Sequence, residues 1–117
     1  MLFRSEAADL PPASFDVATC IYLFHELPAD LHAKVAVAIA RLLKPGGLLV
    51  FVDSLQLGDR PDYDALLESF PLAFHEPYYA DYLRQDLGRV FMAAGFGVER
   101  VDLAYLSRVM VLRKTSA

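Results

Sequence analysis

Cysteine is nearly absent: Cys20 is the only one in 117 residues. A lone thiol excludes an internal disulfide and a multi-thiol zinc site, and it fits a reducing cytoplasm. A basic patch is missing as well. Eleven lysines and arginines stand against fifteen acidic residues, a net charge of −4, and only Arg113-Lys114 are adjacent. Proteins that track phosphate carry clustered bases, so nucleic acid is not an expected partner. No apolar stretch nears the roughly 18 residues of a membrane span. Residues 1–6 lack the basic-then-apolar order of a signal peptide. No membrane partner is expected, and the expected location is cytoplasmic. Repeats and low-complexity linkers are also lacking, which leaves 1–117 as a single domain.

What the chain has is apolar residues, 56% of the total. That excludes a disordered tail and hints at more apolar surface than one small domain can hide. Leu2-Phe3-Arg4 reads as the end of a strand, and Ala7 to Ser14 as a loop. Phe15 to Phe24, rich in β-branched and aromatic types, reads as a strand buried on both faces. From Pro28 a helix follows, with Leu31, Val35, Ile39 and Leu42 at helical spacing. Lys44-Pro45-Gly46-Gly47 ends it. Leu48 to Val52 is a second strand, closed by Asp53. Strand, helix, strand predicts a right-handed parallel crossover.

In the second half, Leu55 to Asp62 reads as loop, Tyr63 to Phe70 as a short helix, and Pro71 to Pro77 as a connector. Tyr79, Leu83, Leu87, Val90 and Ala94 predict one long helix over 78–94, ended by Gly95. Val98–Tyr105 and Arg108–Arg113 predict an antiparallel hairpin. The sum is an α/β sheet of about four strands, the last one antiparallel, with flanking helices.

Three segments carry a resemblance: Ser14-Phe15-Asp16-Val17 with Leu23-Phe24-His25-Glu26-Leu27-Pro28, then Leu43-Lys44-Pro45-Gly46-Gly47-Leu48, then Ala93-Ala94-Gly95-Phe96 before the hairpin. In this order they resemble the C-terminal part of a class I S-adenosylmethionine (SAM)-dependent methyltransferase, of the small-molecule type that includes the ubiquinone/menaquinone C-methyltransferases. The resemblance implies a partial Rossmann-like sheet. The family's glycine-rich strand–turn–helix and its ribose-binding acid have no match here: no glycine precedes Phe15, and Gly46-Gly47 is a turn. SAM is therefore expected to bind weakly or not at all to this chain alone, and its activity to be weak or lost.

The family's sheet order, 3-2-1-4-5-7-6, makes the strand at Phe15–Phe24 an edge. Exposed apolar edges invite pairing, so a homodimer through this edge or the adjacent apolar face is expected.

The resemblance also implies a set of site residues. Glu6 and Ala7 stand where the family holds adenine; a solvated loop is the other reading. Cys20 and Ile21 stand where the backbone passes the methionine part of SAM, or else pack in the core. Tyr22 and His25 border the methyl-transfer centre. His25 is a candidate general base, or a residue that fixes the loop. Asp53 positions a small-molecule acceptor or caps the next segment. His75, Tyr78 and Tyr79 form a lid over an apolar acceptor, or pack on the sheet. A zinc set of His25, His32 and His75 lacks the spacing of two imidazoles on one helix face; no metal is expected, and His32 reads as a surface helix residue. The alternative to an enzyme is a non-catalytic dimerisation or binding module on the same fold.

Overall fold

A computed structural model describes residues 10–73 and 76–115. The expected strand end at 2–4, and Glu6, Ala7 and His75, lie outside the described residues. Four strands form one sheet: β1 (Phe15–Ile21), β2 (Leu43–Ser54), β3 (Phe96–Ala104) and β4 (Ser107–Lys114), in the order β1-β2-β4-β3. β1 and β2 are parallel, and β4 runs antiparallel to both of its neighbours. The expected crossover and inverted last strand are both present.

Helix α1 (Ala29–Leu42) is the crossover. Pro28 sets its start, and Val35, Ala36, Ile39, Ala40 and Leu42 bury its inner stripe. The chain passes from Leu42 directly into β2, so residues 44–47 form a bulge inside that strand and not a turn before it. Phe15 pairs with Leu43 and Val17 with Leu48. The bulge needs both glycines. Gly46 takes a left-handed φ of +81°, and a Cβ on Gly47 would meet the Lys44 carbonyl oxygen at 2.9 Å.

Three further helices follow: α2 (Asp64–Ala73), α3 (Tyr79–Arg84) and α4 (Leu87–Ala93). α2 runs beyond the expected end at Phe70 and takes in Pro71 near its last turn. The single helix expected over 78–94 is two. The loop residue Gln56 explains the break: its side-chain amide donates to the carbonyls of Tyr82 (2.7 Å) and Gln85 (2.6 Å). Those carbonyls lie where a continuous helix would need them. Asp86 then caps α4, accepting from the Arg89 N–H at 3.1 Å.

β1 also differs from expectation. It ends at Ile21, and it is buried on one face only. Ala18 and Cys20 enter the core, whereas Val17 and Ile21 are 54% and 59% exposed. Their row continues through Leu48, Val50 and Val52 to Val109 and Val111, which share that face by register. The opposite face, through Leu49, Phe51, Met110 and Leu112, meets the core. Its centre is an aromatic cluster: Phe24, Phe51 and Phe91 lie 5.0–5.5 Å apart by ring centroid.

His32 is a further correction. It is fully buried, not on the surface. Its ring stacks on Phe24 at 4.6 Å, and its Nε2 lies 2.7 Å from the Phe24 carbonyl oxygen. A carbonyl only accepts, so Nε2 donates. This bond ties α1 to the turn that follows β1.

Candidate active site

β1 and β2 run in parallel, so their C-terminal ends open on one rim, where ligands of α/β sheets gather. At that rim Tyr22 leaves β1 in a left-handed conformation, φ 53°, its N–H donating to the Val52 carbonyl at 2.7 Å. A single 3-10 turn follows, Phe24–Glu26. Phe24 plunges into the core, and the next residue, His25, is brought against the end of β2.

Asp53 meets it there. The carboxylate is fully buried, and its oxygens are committed. Oδ1 lies 2.8 Å from His25 Nδ1 and accepts the Ser54 N–H at 2.7 Å. Oδ2 accepts the His25 backbone N–H at 3.3 Å. A carboxylate takes no part as a donor, so in the neutral ring the proton sits on Nδ1, and Nε2 keeps its lone pair. Burial pulls the His25 pKa down. The hydrogen bond and charge of Asp53, with the charges of Glu76 and Glu26, outweigh it and hold the group above its ordinary 6.5.

Two hollows flank this imidazole. One, of about 270 Å³, is lined by Tyr22, His25, Ser54, Phe70, Tyr79 and Leu106. The other, of about 240 Å³, is lined by His25, Glu26, Glu76, Pro77 and Tyr78. In the first, the hydroxyls are engaged with one another: Ser54 with Tyr79, and Tyr22 with Ser107. Tyr82 lies behind, its hydroxyl donating to the Ser54 carbonyl at 2.5 Å. Burial raises the pKa of both Tyr79 and Tyr82, so each phenol keeps its proton.

The structure thus brings Tyr22, His25, Asp53, Tyr78 and Tyr79 together. Asp53 reaches the site through His25 and lines neither hollow. Ile21 is exposed at the same rim. Cys20 packs in the core, where burial pushes its thiol up to about 12, so it is no nucleophile at neutral pH. Phe70 and Leu106 were not singled out in the sequence. Ser54 and Ser107 face each other in the β2–β4 register, which one chain read without its pairing does not display. Of the three histidines weighed for zinc, His75 lies outside the described residues, and His32 is engaged with Phe24 through its ring face and Nε2. A different trio, His25, Glu26 and Glu76, places its donor atoms within 4.8 Å of one another. It is a nitrogen–oxygen set at the surface, able to face a cation.

A family model described as a methyltransferase domain matches residues 2–101. The chain belongs to the methyltransferase-domain family. Solved structures agree on the fold. An O-methyltransferase family protein from Burkholderia thailandensis superposes with a TM-score of 0.70 at 20% identity, over 95% of this chain and 33% of that one. A possible exported protein from Bordetella parapertussis gives 0.66 at 23%, over 89% and 40%. A SAM-dependent methyltransferase from Methanosarcina mazei gives 0.65 at 19%, over 95% and 65%. This methyltransferase domain therefore spans less than half the length of the first two. No curated protein sequence matches it. Among the described residues, no helix is long and apolar enough to cross a membrane.

The family implies SAM. At the β1 rim the described residues of this domain offer the Tyr22–His25 turn. No glycine adjoins the end of β1. Gly58, beyond β2, has a left-handed φ of +88° that favours glycine, with open space around it. Gly46 and Gly47 lie at the other end of β2.

Proposed function

We propose that this domain serves SAM-dependent methyl transfer to a small acceptor bearing an ionisable hydroxyl, with His25 as general base. The observation that supports it most is the Asp53–His25 pair at the C-terminal rim, its imidazole lining both hollows. In the proton step, the acceptor's O–H bond breaks and an N–H bond forms at Nε2. The electron pair stays on oxygen, and Asp53 stabilises the imidazolium. SAM supplies the electrophilic methyl group in this family's chemistry. A deprotonated hydroxyarene is nucleophilic at oxygen and at the neighbouring ring carbon. The reading therefore accommodates the likeness to ubiquinone/menaquinone C-methyltransferases. The single buried thiol suits a reducing, cytoplasmic setting.

The test is mass-spectrometric detection of methylated product from the chain, SAM in excess and a panel of small hydroxyl compounds. Turnover is expected to be weak, because calorimetry is expected to show SAM binding far above the low-micromolar range. It should fall about 100-fold in His25→Gln. Absence of any methylated product at every SAM concentration overturns the reading in favour of a non-catalytic binding module.

The open face of the sheet supports a second reading, a homodimer. Val17 and Ile21 on the edge strand β1, with the valines of β2 and β4 beside them, form an apolar, β-branched surface, and two such faces can pack about a two-fold axis. Light scattering at micromolar concentration is expected to give twice the mass of one chain, and one chain's mass in Val17→Lys. A wild-type monomer contradicts it.

A further inference from the structure

The charge of the acceptor is written in the surroundings of His25. Rings of Tyr22, His25, Phe70 and Tyr79 wall the larger hollow, with His25 and Tyr79 5.3 Å apart and Phe70 and Tyr79 6.1 Å apart. Flat apolar walls of this kind suit a single aromatic ring. The hydroxyls of the lining are spent on each other. His25 Nε2, with Glu26 Oε1 at 3.8 Å, is the ring nitrogen left to meet an acceptor's hydroxyl.

Apart from the imidazole itself, the charges around that point have one sign. Asp53 lies behind the imidazole, and Glu26 and Glu76 line the adjoining hollow. No lysine or arginine is among the described residues that line either hollow. Arg108, on the neighbouring β4, is held by Asp59 at 2.6 Å, and Arg84 by Glu68 at 3.0 Å. An anionic substituent bound here would sit among carboxylates, with no lysine or arginine among the described lining residues to meet it. Like-charge juxtaposition of this kind discriminates against a partner more strongly than attraction selects one.

We infer that the hollow beside His25 takes a hydroxyarene without an anionic substituent, preferring one that carries an amine, and rejects its carboxylated counterpart. This rests on the acceptor reading above and adds to it the charge class of the substrate. The ring occupies the aromatic hollow and its hydroxyl meets Nε2, so any charge it carries lies in the field of Asp53, Glu26 and Glu76. The preference comes from the field of the site, so it holds whether methyl goes to oxygen or carbon.

Three para-substituted phenols of nearly equal size test it: tyramine (cationic), tyrosol (neutral) and para-hydroxyphenylacetate (anionic). Binding of each to the full chain is followed by amide shifts around His25, Ser54 and Tyr79 in NMR titrations, without SAM. Tyramine is expected to bind about tenfold more tightly than para-hydroxyphenylacetate, the effect of reversing one charge near partly screened carboxylates. Tyrosol should fall between them. In Glu26→Gln/Glu76→Gln the advantage of tyramine over para-hydroxyphenylacetate should shrink, with unligated amide positions away from the two substitutions reporting that the fold is kept. If para-hydroxyphenylacetate binds as tightly as tyramine, or if the double variant keeps the preference, the inference is overturned and the acceptor reading stands. If none of the three shifts these amides, both fall.

Discussion

Asp53→Ala is expected to cost about 3–5 kcal/mol of stability and to lower the His25 pKa. The carboxylate has three hydrogen-bond donors: the His25 ring, the His25 backbone N–H and the Ser54 N–H. Alanine leaves all three without an acceptor at a fully buried position. Each orphaned donor costs about 1–3 kcal/mol, and a domain of this kind holds only about 5–15 kcal/mol in all. The pH dependence has a definite sign. A histidine whose folded pKa is raised adds stability that is fully present below its unfolded value, 6.5. That part is lost as pH rises through the raised folded value. The gap between wild type and variant, measured by urea unfolding, should therefore narrow as pH climbs through the His25 titration. A gap that widens with pH contradicts the pairing.

Phe91→Ala should be as severe, about 3–5 kcal/mol, and for a different reason. Phe91 is fully buried on α4 and touches three rings, with centroids 5.5 Å from Phe24, 5.2 Å from Phe51 and 6.0 Å from Phe96. Truncation opens a cavity among side chains drawn from the turn after β1, from β2 and from the start of β3. Those elements are fixed by backbone pairing and cannot close in on the space. Phe24 is one of them, and the residue after it is His25. The variant should also broaden the His25 ring signals in NMR. A loss below about 1 kcal/mol in thermal or urea unfolding would contradict this account of the core.

The βαβ half was legible because its signal is local. Val35, Ile39 and Leu42 repeat at helical spacing, and the glycines mark where the helix gives way, although they form a bulge within β2 and not the expected turn. The hairpin was legible from its short connection. The unread parts depend on residues distant in sequence. Gln56 breaks the helix over 78–94 from 26 residues away. His32 is buried because Phe24 offers it a ring and a carbonyl. Asp53 becomes a partner of His25 only when β1 and β2 lie side by side, 28 residues apart. The burial of β1 on one face alone follows from its place at the sheet edge, which a run of apolar residues does not announce. Of the site, His25, Tyr22 and Tyr79 could be named from sequence, whereas Phe70, Leu106 and the Ser54–Ser107 pairing needed the register of the sheet.

The account stands most directly on the His25 ring, and a nitrogen-detected NMR titration of it is the decisive measurement. The geometry predicts a pKa above 6.5 and, in the neutral form, a proton on Nδ1 with Nε2 bare. A pKa at or below 6.5, or a neutral ring protonated on Nε2, would contradict it.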